Sequence, residues 1–223
     1  VSRAKDLGFV PSSESCSTAI VNLEMKQVRN ADGTSPTTTE MQLLRGTTFV
    51  TVYDGSSYNF VVTTTKRPTQ NGTSYNYNDV SIVQGTYATD SFIFDNQLAN
   101  PKFVLSNERV DKGKMIVSVT SGGATETYTL STGISNITTT STVYYAQENE
   151  EGYIEIYFGD GTLGKSLLDG DVIDVTYIIV DQDHANGASQ FALNGVVNGF
   201  TNHAVTNVSP ASGGAEKESI ESI

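Results

Sequence analysis

Residues 153–180 read YIEIYFGDGTLGKSLLDGDVIDVTYIIV, and this stretch decides between two kinds of fold. In the first six residues and again in the last nine, every second side chain is apolar, which is typical of a half-buried β-strand. Between them, residues 159–166 satisfy G-x-x-x-x-G-K-[ST], the pattern of a phosphate-binding loop. Such a loop needs a helix directly after it, because the helix N-terminus supplies the free N–H groups and the dipole that hold a phosphate.

No helix is expected after this segment. Ser166 is followed by two leucines and then by Asp169-Gly170-Asp171, a turn sequence that ends any helix within about one turn. The sequence therefore predicts strand, glycine-rich connection, strand, and it disfavours nucleotide binding.

The glycine pattern has a structural explanation that needs no phosphate. Gly159, Gly161 and Gly164 permit backbone angles that fold a tight connection between two strands. Asp160 is expected to hydrogen-bond its own backbone within the turn. Lys165 is then a surface charge.

Composition excludes several classes of function. The 223 residues carry a formal charge of −12 and no basic stripe, so we predict no nucleic-acid partner. No apolar run approaches a membrane-spanning length, and we predict no membrane association. Cys16 is the single cysteine, which rules out an intrachain disulfide. It is expected to be a packed side chain rather than a nucleophile working with His184 or His203.

The rest of the chain also reads as β-structure. Alternation recurs over residues 19–25 and 115–119, and turn sequences such as Asp54-Gly55 and Gly122-Gly123 separate candidate hairpin strands. The polar residues 63–79 are expected to form an exposed loop. The predicted fold class is all-β, with mainly antiparallel sandwich-like or barrel-like sheets and short helical pieces at the two ends.

Three regions are expected along the chain. Residues 1–16 read as the end of an upstream helix and a lead-in. Residues 17–210 form a β-rich region that could comprise two subdomains divided near residue 80 or residue 142. Residues 211–223 read as the start of a following segment, so we expect an internal piece of a longer protein.

The run from Gly152 to Lys165 resembles a hallmark of baseplate J-like proteins, the wedge components of contractile tails such as those of T-even-like phages. The resemblance continues through residues 169–177 and through Ala185-Asn186-Gly187-Ala188. Further similar stretches occur in family order at residues 4–11, at Val110-Asp111 with residues 115–119, and at residues 213–216 with Glu218-Ser219. Residues 63–79 and 131–142 match nothing in the family pattern.

This resemblance implies a non-enzymatic structural protein of the virion, located in the tail baseplate and assembled in the host cytoplasm. Its implied partners are copies of itself, as a homodimer or higher oligomer, and other baseplate wedge proteins that together form the ring around the tail hub. It implies no catalytic residue, no cofactor and no metal. The family-motif residues, with a structural or interface role, are Gly159, Asp160, Gly161, Gly164, Asn186 and Gly187.

Two alternatives remain open at this point. An extracellular adhesin or glycan-binding β domain could use tyrosines to stack on sugars, with Tyr75, Tyr77, Tyr144 and Tyr145 as candidates. A structural calcium could be held by the carboxylates of Asp169, Asp171, Asp174, Asp181 and Asp183, although their order differs from that of an EF-hand. His184 beside Asp183 could suggest a transition metal, but a lone histidine is rarely a ligand.

Overall fold

The computed structural model describes residues 14–133, 136–181 and 183–217. Within these ranges the chain is nearly all β, with one short 3-10 helix at Lys112–Lys114, which confirms the predicted fold class. The strands are β1 (Thr18–Met25), β2 (Thr48–Tyr53), β3 (Ser56–Val62), β4 (Thr69–Asn71), β5 (Ser74–Gln84), β6 (Thr86–Ile93), β7 (Phe103–Val104), β8 (Ile116–Ser121), β9 (Ala124–Leu130), β10 (Val143–Glu148), β11 (Ile154–Phe158), β12 (Val172–Ile179), β13 (Ala192–Asn194) and β14 (His203–Ser212).

The helical pieces expected at the ends fall mainly on residues 1–13 and 218–223, which lie outside the described residues. The described part of the second piece is not helical. Ala215 instead forms an antiparallel bridge with Ser15.

The described chain divides into two compact units. Unit 1 contains the residues up to Thr86 and those from Val180 onward, and unit 2 is the continuous segment Tyr87–Ile179. Unit 2 is thus inserted into unit 1 along the sequence. The divisions fall at 86/87 and 179/180. From the sequence we expected a single division, near residue 80 or residue 142.

Unit 1 is built on a seven-stranded antiparallel sheet. Its strand order is β13-β2-β3-β5-β1-β14, and β4 pairs with β5. The alternation over residues 19–25 places Ala19, Val21, Leu23 and Met25 of β1 in the core of this unit. The hairpin predicted at Asp54-Gly55 joins β2 to β3.

The prediction of an exposed loop over residues 63–79 was wrong from residue 69 onward. Residues 69–71 form β4, and Tyr75 and Tyr77 lie in β5 with no exposed surface. Their hydroxyl groups donate hydrogen bonds to the backbone carbonyls of Pro36 and Met41. A polar sequence therefore forms an interior strand, because each tyrosine buries its ring and still pairs its hydroxyl.

Hydrogen bonds within unit 1 join the segment where the chain leaves this unit to the segment where it returns. The fully buried Gln84 donates from Nε2 to Asp181 Oδ2 at 2.9 Å and accepts from the Asp181 backbone N–H at 2.8 Å. This pairing fixes the start of the segment that carries Asn186 and Gly187.

Unit 2 is built on a second seven-stranded sheet, in the order β6-β12-β8-β9-β10-β11-β7. β9 and β10 run parallel, which makes this sheet mixed. Its core includes the alternating apolar residues of β11 and β12, which are Ile154, Ile156, Ile173, Val175 and Tyr177. The glycine-rich connection lies between these two strands.

Candidate functional site

The connection from Gly159 to Ser166 follows β11 and doubles back on itself. Gly159 and Ser166 form a parallel bridge at its two ends. Residues 167–171 contain a turn and no helix, and β12 begins at Val172. The structural context of a phosphate-binding loop is therefore missing from this segment.

Five consecutive backbone N–H groups of the connection are used inside the protein. Gly161 N donates to Gly164 O at 3.1 Å. The N–H groups of residues 162 and 163 donate to Asp160 Oδ1 at 2.8 and 3.2 Å. Gly164 N donates to Thr138 O at 3.1 Å, and Lys165 N donates to Ser141 O at 2.8 Å. A phosphate-binding loop must leave such groups free for its ligand, and here none of these five is free.

The Asp160 carboxylate accepts hydrogen bonds from two backbone N–H groups of the connection. Hydrogen bonds from the backbone of Thr162 and then of Leu163 lower the pKa of this carboxyl group below its ordinary value. The carboxylate is therefore charged at neutral pH, and it holds the turn from inside.

Lys165, the lysine of the phosphate-loop pattern, pairs with a carboxylate of the protein itself. Its Nζ is paired with the Glu126 carboxylate, and this hydrogen bond raises the pKa of the lysine. Both side chains are about half exposed, at 41% and 49%. The pair is thus a surface ion pair of the kind that contributes little to stability.

Two glycines of the connection are required by close packing. A Cβ on Gly159 would lie 2.4 Å from Leu163 O and 2.5 Å from the carbonyl carbon of Gly164. Gly164 has a φ of +97°, and a Cβ there would lie 2.9 Å from a methyl group of Val143. Gly161 adopts a positive φ of +86° with no close neighbour, so only its backbone angle favours glycine.

Asn186 and Gly187 form a second turn, in unit 1. Asn186 Oδ1 accepts from Ser17 Oγ at 2.8 Å and from Gly214 N at 3.0 Å, and its Nδ2 donates to Gly214 O at 2.9 Å. Gly187 N donates to Ala211 O at 2.7 Å. One asparagine therefore ties the turn both to the segment before β1 and to the segment after β14.

A cleft of about 550 Å³ adjoins the glycine-rich connection within unit 2. Aromatic rings supply much of its wall, with Phe94, Phe103, Tyr157 and Phe158 among the lining residues. Lys102, which also lines it, donates from Nζ to the buried Glu155 at 2.7 Å. Lys102 and Glu155 are thus already paired with each other.

The described residues give the alternative functions little support. Of the four candidate sugar-binding tyrosines, Tyr75, Tyr77 and Tyr144 are buried, and burial raises the pKa of Tyr144 to about 12. Tyr145 alone is partly exposed, and it stacks on Tyr157 with ring centroids 5.2 Å apart. Cys16 is 4% exposed, as expected for a packed side chain.

Four of the five aspartates considered for calcium accept hydrogen bonds from their own neighbours. Asp169 accepts from Asn96 N, Asp171 from Leu168 N, Asp174 from Ser91 Oγ, and Asp181 from Gln84 Nε2. These carboxylates shape turns and strand pairs.

Among the described residues no helix is long and apolar enough to cross a membrane.

Several partners of these turns could not be identified from the sequence. Glu126, Thr138, Ser141 and Gly214 lie far along the chain from the turns that they hold. No local pattern marks them, because the fold alone brings them into contact.

The comparisons with known proteins point to one class. Residues 88–182 match the family described as bacteriophage baseplate wedge protein gp6, third domain. The whole chain also aligns with the baseplate wedge protein gp6 of Enterobacteria phage T4, at 23% identity over 251 aligned positions. The alignment covers 100% of this chain and 36% of the T4 protein, so the chain spans about a third of that relative.

Both similarities are to proteins described as baseplate wedge proteins. The narrower resemblance to baseplate J-like proteins stays a prediction. So does the role assigned to the six family-motif residues.

Proposed function

We propose that this chain is a structural, non-enzymatic part of a phage tail baseplate wedge. The observation that carries the proposal is the agreement between two independent boundaries. The matched segment, residues 88–182, nearly coincides with unit 2, Tyr87–Ile179. A compact unit that folds around its own core is what a shared domain of wedge proteins should be.

The hydrogen bonds of the Gly159–Ser166 connection support the non-enzymatic role. This connection carries the sequence pattern of a nucleotide-binding loop. Its backbone N–H groups donate hydrogen bonds to the carboxylate of Asp160 and to nearby backbone carbonyls. This arrangement supports a rigid joint between strands.

We propose further that the chain associates with copies of itself and with other wedge proteins into the ring around the tail hub, after assembly in the host cytoplasm. Neither nucleic acid nor a membrane is a partner in this proposal. Such assemblies bury apolar surface at symmetric contacts. The surface proposed for self-association is therefore an exposed apolar one.

An exposed apolar patch lies at one end of the β6–β12 edge of unit 2. Phe94 N donates to Asp171 O at 2.8 Å and Gly170 N donates to Phe94 O at 2.9 Å, which brings the ends of the two strands together. The patch consists of Ile93, Leu98, Leu168 and Val172, whose exposed fractions are 70%, 57%, 64% and 36%.

β6 lies at the edge of its sheet, and an edge strand can pair with a strand of another chain. The patch and this edge adjoin one another. A second copy of the chain can therefore gain apolar burial and backbone hydrogen bonds at the same contact. We place the self-association surface here.

Sedimentation velocity at micromolar concentration tests the self-association. We expect the chain to be at least dimeric, and we expect Ile93→Asp and Leu168→Asp to shift it toward monomer, because each variant places a charge in a buried apolar contact. Val52→Asp is the matched control, since Val52 is 73% exposed but belongs to unit 1. A monomeric wild-type chain, or an equal loss of self-association in all three variants, contradicts the proposal that this surface mediates self-association.

Electron microscopy of virions labelled with an antibody to the chain tests the location separately. We expect label at the baseplate end of the tail. Label confined to fibres or capsid contradicts the baseplate role whatever the sedimentation result.

A further inference from the structure

Three side chains of types that can bind a metal ion lie close together on the surface of unit 1. They are Asp183, His184 and Glu216, all exposed, and each offers a ligand atom within 4.8 Å of the other two. Asp183 and His184 are neighbours in sequence, but Glu216 arrives from the segment after β14. The fold therefore supplies the additional ligand that a lone histidine lacks.

The backbones that carry these ligands are fixed by hydrogen bonds. On one side, Ala185 and Ala188 are fully buried in the core of unit 1, and Asn186 N donates to Asp183 O at 2.8 Å. On the other side, Ala215 is held by two backbone hydrogen bonds to Ser15, at 3.0 and 3.1 Å. Glu216 follows Ala215 directly, so its starting point is set.

The Asn186 side chain joins the two ligand-bearing segments to each other. It pairs with both the N–H and the carbonyl of Gly214, at 3.0 and 2.9 Å. Ligands held on fixed segments lose less freedom when an ion binds.

The histidine is in a state suited to metal binding. His184 Nδ1 lies 2.8 Å from the carbonyl oxygen of Asp181. A carbonyl oxygen only accepts, so Nδ1 carries a proton, and in the neutral imidazole Nε2 then has the lone pair that can bind a metal. A backbone carbonyl behind a metal-binding imidazole is the usual arrangement that fixes its tautomer and orientation.

We propose that Asp183, His184 and Glu216 bind one Zn²⁺ ion. One imidazole nitrogen and two carboxylate oxygens form a three-ligand set that zinc accepts, with water in the fourth position. Tetrahedral zinc requires ligand atoms about 3.3 Å apart, so its binding would draw these exposed side chains together from their present spacing of up to 4.8 Å. Calcium prefers six to eight oxygen ligands, so the histidine selects against it.

The ion would link the turn at residues 183–187 to the segment after β14. Because both ligand-bearing segments must be in their native places, the ion binds the folded state and stabilises unit 1. This inference goes beyond the proposed baseplate function and does not depend on it.

Isothermal titration calorimetry of the metal-free chain with ZnCl₂ tests the site, together with thermal unfolding in the presence and absence of Zn²⁺. We expect one Zn²⁺ per chain and a rise in the unfolding temperature. His184→Ala and Glu216→Gln should each weaken binding by about tenfold or more, because each removes one of only three protein ligands.

His203→Ala is the matched control. His203 is the other histidine of the chain, also lies in unit 1, and also has its Nδ1 bonded to a backbone carbonyl, that of Thr201 at 2.7 Å. It should bind Zn²⁺ like the wild type. Binding weaker than about 1 mM in the wild type, or wild-type affinity in His184→Ala, overturns the proposal.

Discussion

The Gly159–Ser166 connection of unit 2 and the Asn186-Gly187 turn of unit 1 use similar residues for different purposes. The first is closed mainly on itself, with Asp160 filling the turn from inside and Gly159 packed against its own far end. The second reaches outward, because Asn186 bonds to Ser17 and Gly214, which are distant in sequence. One turn is a compact joint, and the other is a tie between segments.

The two turns should therefore be sensitive to different kinds of substitution. A joint whose backbone touches itself has no room for a side chain and no flexible neighbour to yield. A tie depends on hydrogen bonds that can be removed one at a time.

Gly159→Ala should be the most destabilising change in either turn. The new Cβ would lie within 2.6 Å of three backbone atoms of residues 163 and 164, so the connection itself must move. We expect a loss near the upper end of the overpacking range, about 3 kcal/mol, in the free energy of unfolding measured by urea denaturation. Gly133→Ala is the control, because nothing lies within 4 Å of a Cβ there and φ is not positive. Equal effects of the two substitutions would contradict the account.

Asn186→Ala should be less costly but still clear. It removes three hydrogen bonds and leaves the N–H and carbonyl of Gly214 and the Ser17 hydroxyl without this partner. The expected cost is about 2 kcal/mol in the free energy of unfolding. Asn186→Asp retains the acceptor and loses only the donor, so it should fall between the wild type and Asn186→Ala. An Asn186→Ala variant as stable as the wild type would show that the tie is dispensable.

Gly187→Ala should cost about 1–2 kcal/mol, since φ is +95° and a Cβ would lie 2.5 Å from the Tyr53 hydroxyl. Here the obstacle is the end of a partly exposed side chain. Tyr53→Ala should therefore recover part of the loss in a double-mutant cycle, leaving the cost of the backbone angle. Strict additivity of the two changes would argue against this contact.

The Asp160 carboxylate should make the joint sensitive to acid. Its pKa is lowered in the folded state, so its stabilising effect is present above the ordinary value of 3.8 and is lost as the pH falls through the lowered value. Asp160→Asn should be less stable than the wild type at neutral pH, and the difference should shrink on acidification. A difference that is constant with pH, measured by urea denaturation at several pH values, would contradict this role.

Much of the fold was predictable because strand alternation is a local signal. The quoted stretch gave β11 and β12, and the alternation over residues 19–25 gave β1, with their apolar side chains in the two cores. β4 and the start of β5 were missed, because Tyr75 and Tyr77 alternate with asparagines in a segment that is polar overall. Their burial depends on the carbonyls of Pro36 and Met41, which sequence does not place nearby.

The candidate sites were predictable only in part for the same reason. That Gly159 to Ser166 joins two strands follows from the missing helix. The partners Thr138, Ser141 and Glu126 do not follow from any pattern. Glu216, which completes the proposed zinc site, joins His184 only through the folded sheet of unit 1.

The central claim is that the Gly159–Ser166 connection is a structural joint and not a nucleotide-binding loop. Calorimetric titration of the chain with ATP and Mg²⁺, repeated with Lys165→Ala, tests it most directly. We expect no heat of binding in either protein and no change in unfolding stability from Lys165→Ala, whose ion pair with Glu126 is exposed. Micromolar ATP binding by the wild type that Lys165→Ala abolishes would contradict the claim.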